Sequence, residues 1–271
     1  MALLFPFSSS DCTVVNSDLS PSRGRILSHY VIVWDLETVP DLTRWAAANG
    51  HAGKPDNEIR EAMGSKFPKL PYHSIACIGA LVTHKEDDFW KVKAIGAPHV
   101  GERSEKALIT AFVDRIAELN PQLITFNGNS FDLPVVRYRA MINEVSAPGL
   151  SMRPYFNRYS EDALDLCDAL SSFSPNGKAT MHEISLALGL TGKPEGIDGS
   201  EVAGYFQAGR IKEIADYCET DVTNTYQIWL RYELFRGKLT EAQFKASVAD
   251  LQAFILGHRE TKPHLQYMTA S

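Results

Sequence analysis

Cysteine is scarce in this chain. Four residues in 271, Cys12, Cys77, Cys167 and Cys218, lie far apart and form neither a CxxC pair nor a zinc-type spacing. That argues against a disulfide framework and against a sulfur-bound metal. It leaves reduced, partly buried thiols in a cytosolic protein, and any metal to oxygen ligands. Long apolar runs are missing as well. None approaches the roughly 18–20 residues of a membrane span. The apolar opening, Met1 to Phe7, is short, lacks a positive flank and is cut by Pro6, which speaks against a signal peptide. No membrane partner and a cytoplasmic location are expected. Excess positive charge is also absent. Lys and Arg number 27 against 33 Asp and Glu, a formal charge of −6. A non-specific nucleic-acid coat protein would normally be basic. The balance does not exclude an enzyme whose own site is carboxylate-rich, because bound cations reverse the local field.

What is present is an ordinary apolar fraction, 44%, enough for one α/β domain with modest extensions. Residues 1–28, rich in Ser, Asp and Pro, read as an N-terminal tail. Tyr30-Val31-Ile32-Val33-Trp34 is a run of β-formers that suits a strand buried on both faces. A polar insertion with short helices is expected over 41–72. Two strands, 74–82 and 89–95, flank the charged turn Lys85-Glu86-Asp87-Asp88 as a hairpin. Helical periodicity covers 104–119 and stops at Asn120-Pro121. A short strand at 123–126, a helix over 133–143 and a fifth strand near 163–166 follow. Helices are expected at 180–189, 200–207, 210–235 and 240–257. The pattern is a mixed sheet covered on both faces. The expected divisions are a tail at 1–28, a main domain at 29–235, and a helical extension and tail at 236–271.

Three short passages carry chemistry. Asp35-Leu36-Glu37 ends the first strand, and residues i and i+2 of a strand share a face. Two adjacent carboxylates repel and resist desolvation, a conflict that a divalent cation removes. Hard oxygen ligands favour Mg²⁺ or Mn²⁺. Alone, the pair reads more simply as solvated residues at a strand end. Asn127-Gly128-Asn129-Ser130-Phe131-Asp132 follows a strand and opens a helix. There Asn-Gly makes a turn and Asp132 is a natural N-cap, so capping is a competing explanation. Tyr217 and Asp221 lie four apart on a late amphipathic helix, at the border of its apolar stripe. Two further stretches, Lys54, Arg60, Lys66 and Lys69, and Arg137, Arg139, Arg153 and Arg158, are locally basic. They suit either a nucleic-acid patch or a solvated surface.

In this order, Asp-x-Glu, Asn-x-x-x-Phe-Asp and Tyr-x-x-x-Asp resemble the three motifs of the DEDD superfamily of 3'→5' exonucleases, Tyr-type branch. Residues 33–40, 124–134 and 217–222 are similar, more narrowly, to predicted bacterial exonucleases related to the proofreading domain of family B DNA polymerases. The resemblance spans about 30–232 and leaves out the first 28 and the last 35 or so residues. It implies a ribonuclease H-like fold, a five-stranded mixed β-sheet flanked by α-helices. It also implies two-metal hydrolysis, two Mg²⁺ or Mn²⁺ per site, that releases 5'-mononucleotides from a 3' end. Asp35, Glu37 and Asp221 would hold one cation. Asp35 would bridge to the second, which Asp132 supports through water, and Tyr217 would orient the attacking water. Asp165 falls where related domains often carry another acid. Leu36 and Phe131 would pack near the terminal bases, with Thr38, Asn127 and Asn129 as further substrate contacts.

The expected substrate is single-stranded DNA, with DNA repair as the setting. An exoribonuclease with the same site, and an inactive nucleic-acid-binding module, are the alternatives. Fold alone does not choose between DNA and RNA. His182 and Glu183 read as the start of a helix, and the glycine-containing loop Gly192–Gly199 as a loop near the site.

Overall fold

The first strand, β1 (Tyr30–Pro40), sits at the centre of the sheet, which is why its apolar run is nearly continuous. The computed structural model describes residues 29–192, Gly199 and residues 201–269. The N-terminal tail reading, and all but the ends of the 192–199 loop reading, lie outside these residues.

After β1 come two short helices, α1 (Leu42–Ala48) and α2 (Asp56–Met63), within the polar insertion. Strands β2 (His73–Glu86) and β3 (Phe89–Gly96) form the hairpin. Its two turn residues, Asp87 and Asp88, both take left-handed backbone angles, φ 52° and 68°. Two such residues match the twist of a tight hairpin, so β2 runs on through the charged residues read as a turn. Helix α3 (Glu105–Leu119) starts where the Ser104 side chain accepts from the Ala107 N–H. Strand β4 (Gln122–Thr125) leads into α4 (Asp132–Ile142), and β5 (Ala163–Asp165) into α5 (Leu166–Leu170). Further α-helices are α6 (Met181–Ala187), α7 (Val202–Gln207), α8 (Ile211–Phe235) and α9 (Glu241–Gly257).

The strands lie in the order β3-β2-β1-β4-β5. β2 pairs antiparallel with β1 and β3, while β1, β4 and β5 are parallel. This is the five-stranded mixed sheet of a ribonuclease H-like fold. The alternation along β1 sends Ile32, Trp34 and Leu36 into a core with α3 and α4. Val31 and Val33 go into the opposite core, with Tyr226 and Trp229 of α8. By the same alternation Asp35 and Glu37 face α8.

The C-terminal segment is packed into this second core and is not set apart from it. Leu251, Ile255, Leu265 and Met268 are buried with Val31, Val33 and Trp229. Helix α9 also covers the open edge of the sheet. Ser247 Oγ accepts from the Trp90 N–H at 3.0 Å, and Asp250 from the Val92 N–H at 2.7 Å. Edge N–H groups left bare would invite another strand. Among the described residues, no helix is long and apolar enough to cross a membrane.

Candidate active site

The end of β1 projects Asp35 and Glu37 toward α8, and α8 answers with Tyr217, Cys218 and Asp221. Ligand atoms of Asp35, Glu37 and Cys218 all lie within 4.8 Å of one another. Tyr217 is buried among Asp221, Glu37 and Asp35. Burial and those three charges push its phenol far above the ordinary range, and Asp221 also hydrogen-bonds it. This surrounding favours the neutral O–H form of Tyr217. All five residues expected to act as catalysts gather here, because Asp132 joins from the other side.

Asp132 does not cap its helix. Phe131 holds the N-cap position without a side-chain cap bond, and Asp132 is the first helical residue. Its Oδ1 accepts the Leu36 N–H of β1 at 3.1 Å. β4 pairs with β1 only over Val31–Val33, so the Leu36 N–H beyond that pairing needs another acceptor. Burial, then the charge of Asp35, raise the Asp132 carboxyl well above the usual carboxylate range. The capping explanation thus gives way to a tertiary bond that fixes Asp132 beside the acids of β1.

Asp165 explains the turn between β4 and α4. Its carboxylate accepts from the N–H groups of Asn127 at 2.7 Å and Asn129 at 3.0 Å, and from Cys167 and Asp168 at the start of α5. Burial raises its pKa, and the four backbone donors make its charged form tolerable. It is a clasp for the turn. Asn127 needs that clasp, because it stands at φ 69°, a left-handed angle that Asn tolerates better than most residues.

The expected substrate contacts divide. Leu36 is buried in the α3–α4 core. Thr38 Oγ1 bonds His73 Nδ1 at 3.0 Å, and His73 Nε2 reaches the Pro68 carbonyl. Asn129 contributes mainly its N–H to the clasp, whereas Asn127 presents an exposed Oδ1 to Ser130 and Lys178. Phe131 sits edge-on to His73, ring centroids 5.0 Å apart, with Phe67 at 5.7 Å. Phe67, 75% exposed and flanked by exposed Lys66 and Lys69, had no motif to mark it.

Cys218 was also missed. It is fully buried, 3.6 Å from Asp35 Oδ2. Burial, the Cys77 thiol and the charges of Asp35 and Glu37 push its pKa up, so it stays a thiol. Its approach depends on Gly79, which is paired with Asp35 across the β1–β2 register. A methyl group there would fall 2.5 Å from Cys218 Sγ.

Three of the four arginines in the second basic cluster are tied to acids. Arg139 is buried and forks onto Glu105 at 2.7 and 2.6 Å while bonding Asp41 at 2.7 Å. Arg153 pairs with Asp162, and Arg158 with Asp168. His182 and Glu183 open α6, with Thr180 and Glu183 forming a capping box.

The crowding of Asp35 and Glu37, with Asp221 and Asp132 beside them, fits a hard divalent cation that takes oxygen ligands. This acidic cluster at the end of a central strand suits metal-assisted hydrolysis of a phosphate ester. Residues 65–271 match the model of a family described as a predicted 3'-5' exonuclease related to the exonuclease domain of PolB. The chain belongs to that family. The match includes Asp132, Tyr217 and Asp221 and begins after Asp35 and Glu37. It runs to the C-terminus, across the last 35 residues that the motif resemblance had left out. Among solved structures, the chain is similar to the family B DNA polymerase of Pyrobaculum calidifontis at 16% identity and TM-score 0.41, over 91% of this chain and 30% of that one. It is similar to E. coli exonuclease I with a 5cy-dT13 oligonucleotide at 14% identity and TM-score 0.40, over 86% of this chain and 43% of that one. The chain therefore spans less than half of either protein, and likeness this loose carries no argument about substrate.

Proposed function

We propose that the chain is a Tyr-type 3'→5' exonuclease that removes 5'-mononucleotides from the 3' end of single-stranded DNA. The observation that carries this is the meeting of Asp35 and Glu37 on β1 with Tyr217 and Asp221 on α8, closed by Asp132. In this reading Asp35, Glu37 and Asp221 hold one divalent cation, Mg²⁺ or Mn²⁺. Asp35 and Asp132 would together serve a second. When bound, two such cations stabilise the attacking and leaving oxygens of an in-line displacement.

The chain's own groups supply the rest. Tyr217, held as a neutral phenol, donates a hydrogen bond that orients the attacking water; it does not take the proton. Asp132 keeps its place through the Leu36 N–H. Phe131, backed by His73 and Phe67, offers a ring surface to the terminal base, and stacking accepts any base. The catalytic unit is residues 29–235, braced by 236–269 through Ser247, Asp250 and the Lys262–Glu219 pair.

DNA is preferred over RNA because the family is related to an exonuclease domain of a DNA polymerase. Digestion of matched 5'-labelled DNA and RNA oligonucleotides, with Mg²⁺ and Mn²⁺ varied, tests the reading. Stepwise shortening of the DNA that EDTA abolishes is expected. Faster loss of the RNA would overturn the substrate, and cleavage inside the strand would overturn the exonuclease.

A further inference from the structure

The end of the sheet beyond β4 carries a surface that the hydrolytic machinery does not use. The loop before β5 and the turn after α5 bring the rings of Tyr159 and Phe173 together, centroids 5.0 Å apart. Both stand in water, Tyr159 at 74% and Phe173 at 38% exposure. Ser172 and Phe173 take φ 52° and 60°, a region that bulky residues rarely enter. The Phe173 N–H is fastened there to the Asp168 carbonyl at 2.8 Å. Backbone strain that holds a phenyl ring outward is the kind of feature found at ligand clamps.

Two cations belong to the same surface. Arg158 lies 5.8 Å from the centre of the Phe173 ring and forks onto the Asp168 carboxylate at 2.7 Å by two bonds. Lys178 Nζ approaches that same carboxylate at 3.3 Å. Asp168 and the buried Asp165 face these two cations, and Arg158 remains about half exposed. Lys178 also bonds Asn127 Oδ1 at 3.1 Å, in the turn that leads to Asp132. From the same loop Phe156 lies under Arg137 at 4.8 Å. Asn129 Nδ2 also donates to the Arg158 carbonyl at 3.4 Å, so this surface adjoins the turn that runs from β4 to Asp132.

Exposed rings beside partly exposed cations suit a flexible polyanion with flat bases. The rings stack bases of any sequence, and the cations meet phosphates. The core of a protein interface would instead be depleted of charge. We propose that this surface is the track for the single strand on the 5' side of the cleaved nucleotide. Tyr159 and Phe173 stack its bases, and Arg158 and Lys178 meet its phosphates. The inference rests on the exonuclease reading and extends it away from the reacting phosphate.

Two substrates separate the inference from that reading. The 4-nitrophenyl ester of thymidine 5'-monophosphate ends at the scissile bond and cannot reach the track, whereas a long oligothymidylate can. Tyr159→Ala is expected to lower the ratio of kcat/KM on the oligonucleotide to that on the ester by about fivefold or more. Tyr159→Trp should restore the ratio. Lys178→Ala should flatten the log–log salt dependence of oligonucleotide binding by about 0.7. An unchanged ratio in Tyr159→Ala, or an unchanged salt slope in Lys178→Ala, would overturn the track. Fluorescence anisotropy with Ca²⁺ in place of the catalytic cation reads binding alone. If wild type hydrolyses neither substrate, the exonuclease reading fails. Equal oligonucleotide affinity of wild type and Tyr159→Ala in that measurement would then remove the track as well.

Discussion

Gly79 is the place where a single methyl group should pull the site apart. It stands opposite Asp35 in β2, directly beneath α8. A Cβ there would meet Cys218 Sγ at 2.5 Å, the Cys218 carbonyl at 3.2 Å and Val222 Cγ1 at 3.3 Å. Non-bonded carbon contacts settle near 3.5–4.0 Å, so α8 must withdraw by about 1 Å or the thiol must swing into a packed interior. Overpacking of this kind costs about 1–3 kcal/mol of stability. The same shift draws Tyr217 and Asp221 away from Asp35 and Glu37, and a 1 Å misplacement can cost about 100-fold in rate. Urea unfolding and single-turnover hydrolysis of a 5'-labelled oligonucleotide read the two losses in Gly79→Ala. Adding Cys218→Ala removes the closest atom, so the double variant should recover most of both, with a coupling of about 1 kcal/mol or more. Gly204→Ala in α7, where nothing lies within 4 Å, is the control, and it should be neutral or stabilising by about 0.5–1 kcal/mol. Wild-type stability and rate in Gly79→Ala would refute the packing argument. So would a double variant no better than the single.

Other outcomes follow from the same contacts. Asp132→Asn keeps an acceptor for the Leu36 N–H and should stay folded while losing on the order of 10–100-fold in metal affinity or activity; Asp132→Ala should add about 1–3 kcal/mol of instability in urea. Asp168 is held below the usual carboxylate range chiefly by its Arg158 hydrogen bonds. Its contribution is therefore full above the unfolded pKa of about 3.9 and disappears as pH falls through the lower folded value. Asp168→Asn should lower stability at neutral pH and flatten the acid limb of a melting-temperature profile, and an unaltered acid limb would contradict this. Ser247→Ala with Asp250→Ala strips two acceptors from the edge of β3 and should cost about 1–3 kcal/mol for each N–H left buried and unpaired, read as a lower urea midpoint.

The sequence displayed whatever depends on local pattern. The Val31–Trp34 run, the hairpin and the periodic helices are set by neighbours a few residues away, and they appear where the periodicity puts them. The side-by-side placement of the candidate residues was legible because strand parity pairs Asp35 with Glu37, and helical spacing pairs Tyr217 with Asp221. What escaped was set by contacts across the chain. Asp132 looked like a cap because its real partner, the Leu36 N–H, lies 96 residues away. Arg139 looked like surface charge because Glu105 and Asp41 are 34 and 98 residues distant. Cys218 read as one more apolar position on a stripe, and only the Gly79 groove brings it against Asp35. The last helix showed its apolar residues but not the strand edge that it covers.

The most direct test is the release of 5'-mononucleotides from a single-stranded DNA 3' end by wild type and Asp35→Ala, with Mg²⁺ or Mn²⁺, alongside circular dichroism of both. The account predicts metal-dependent release by wild type, and none by a folded Asp35→Ala. Equal release by both proteins would contradict it.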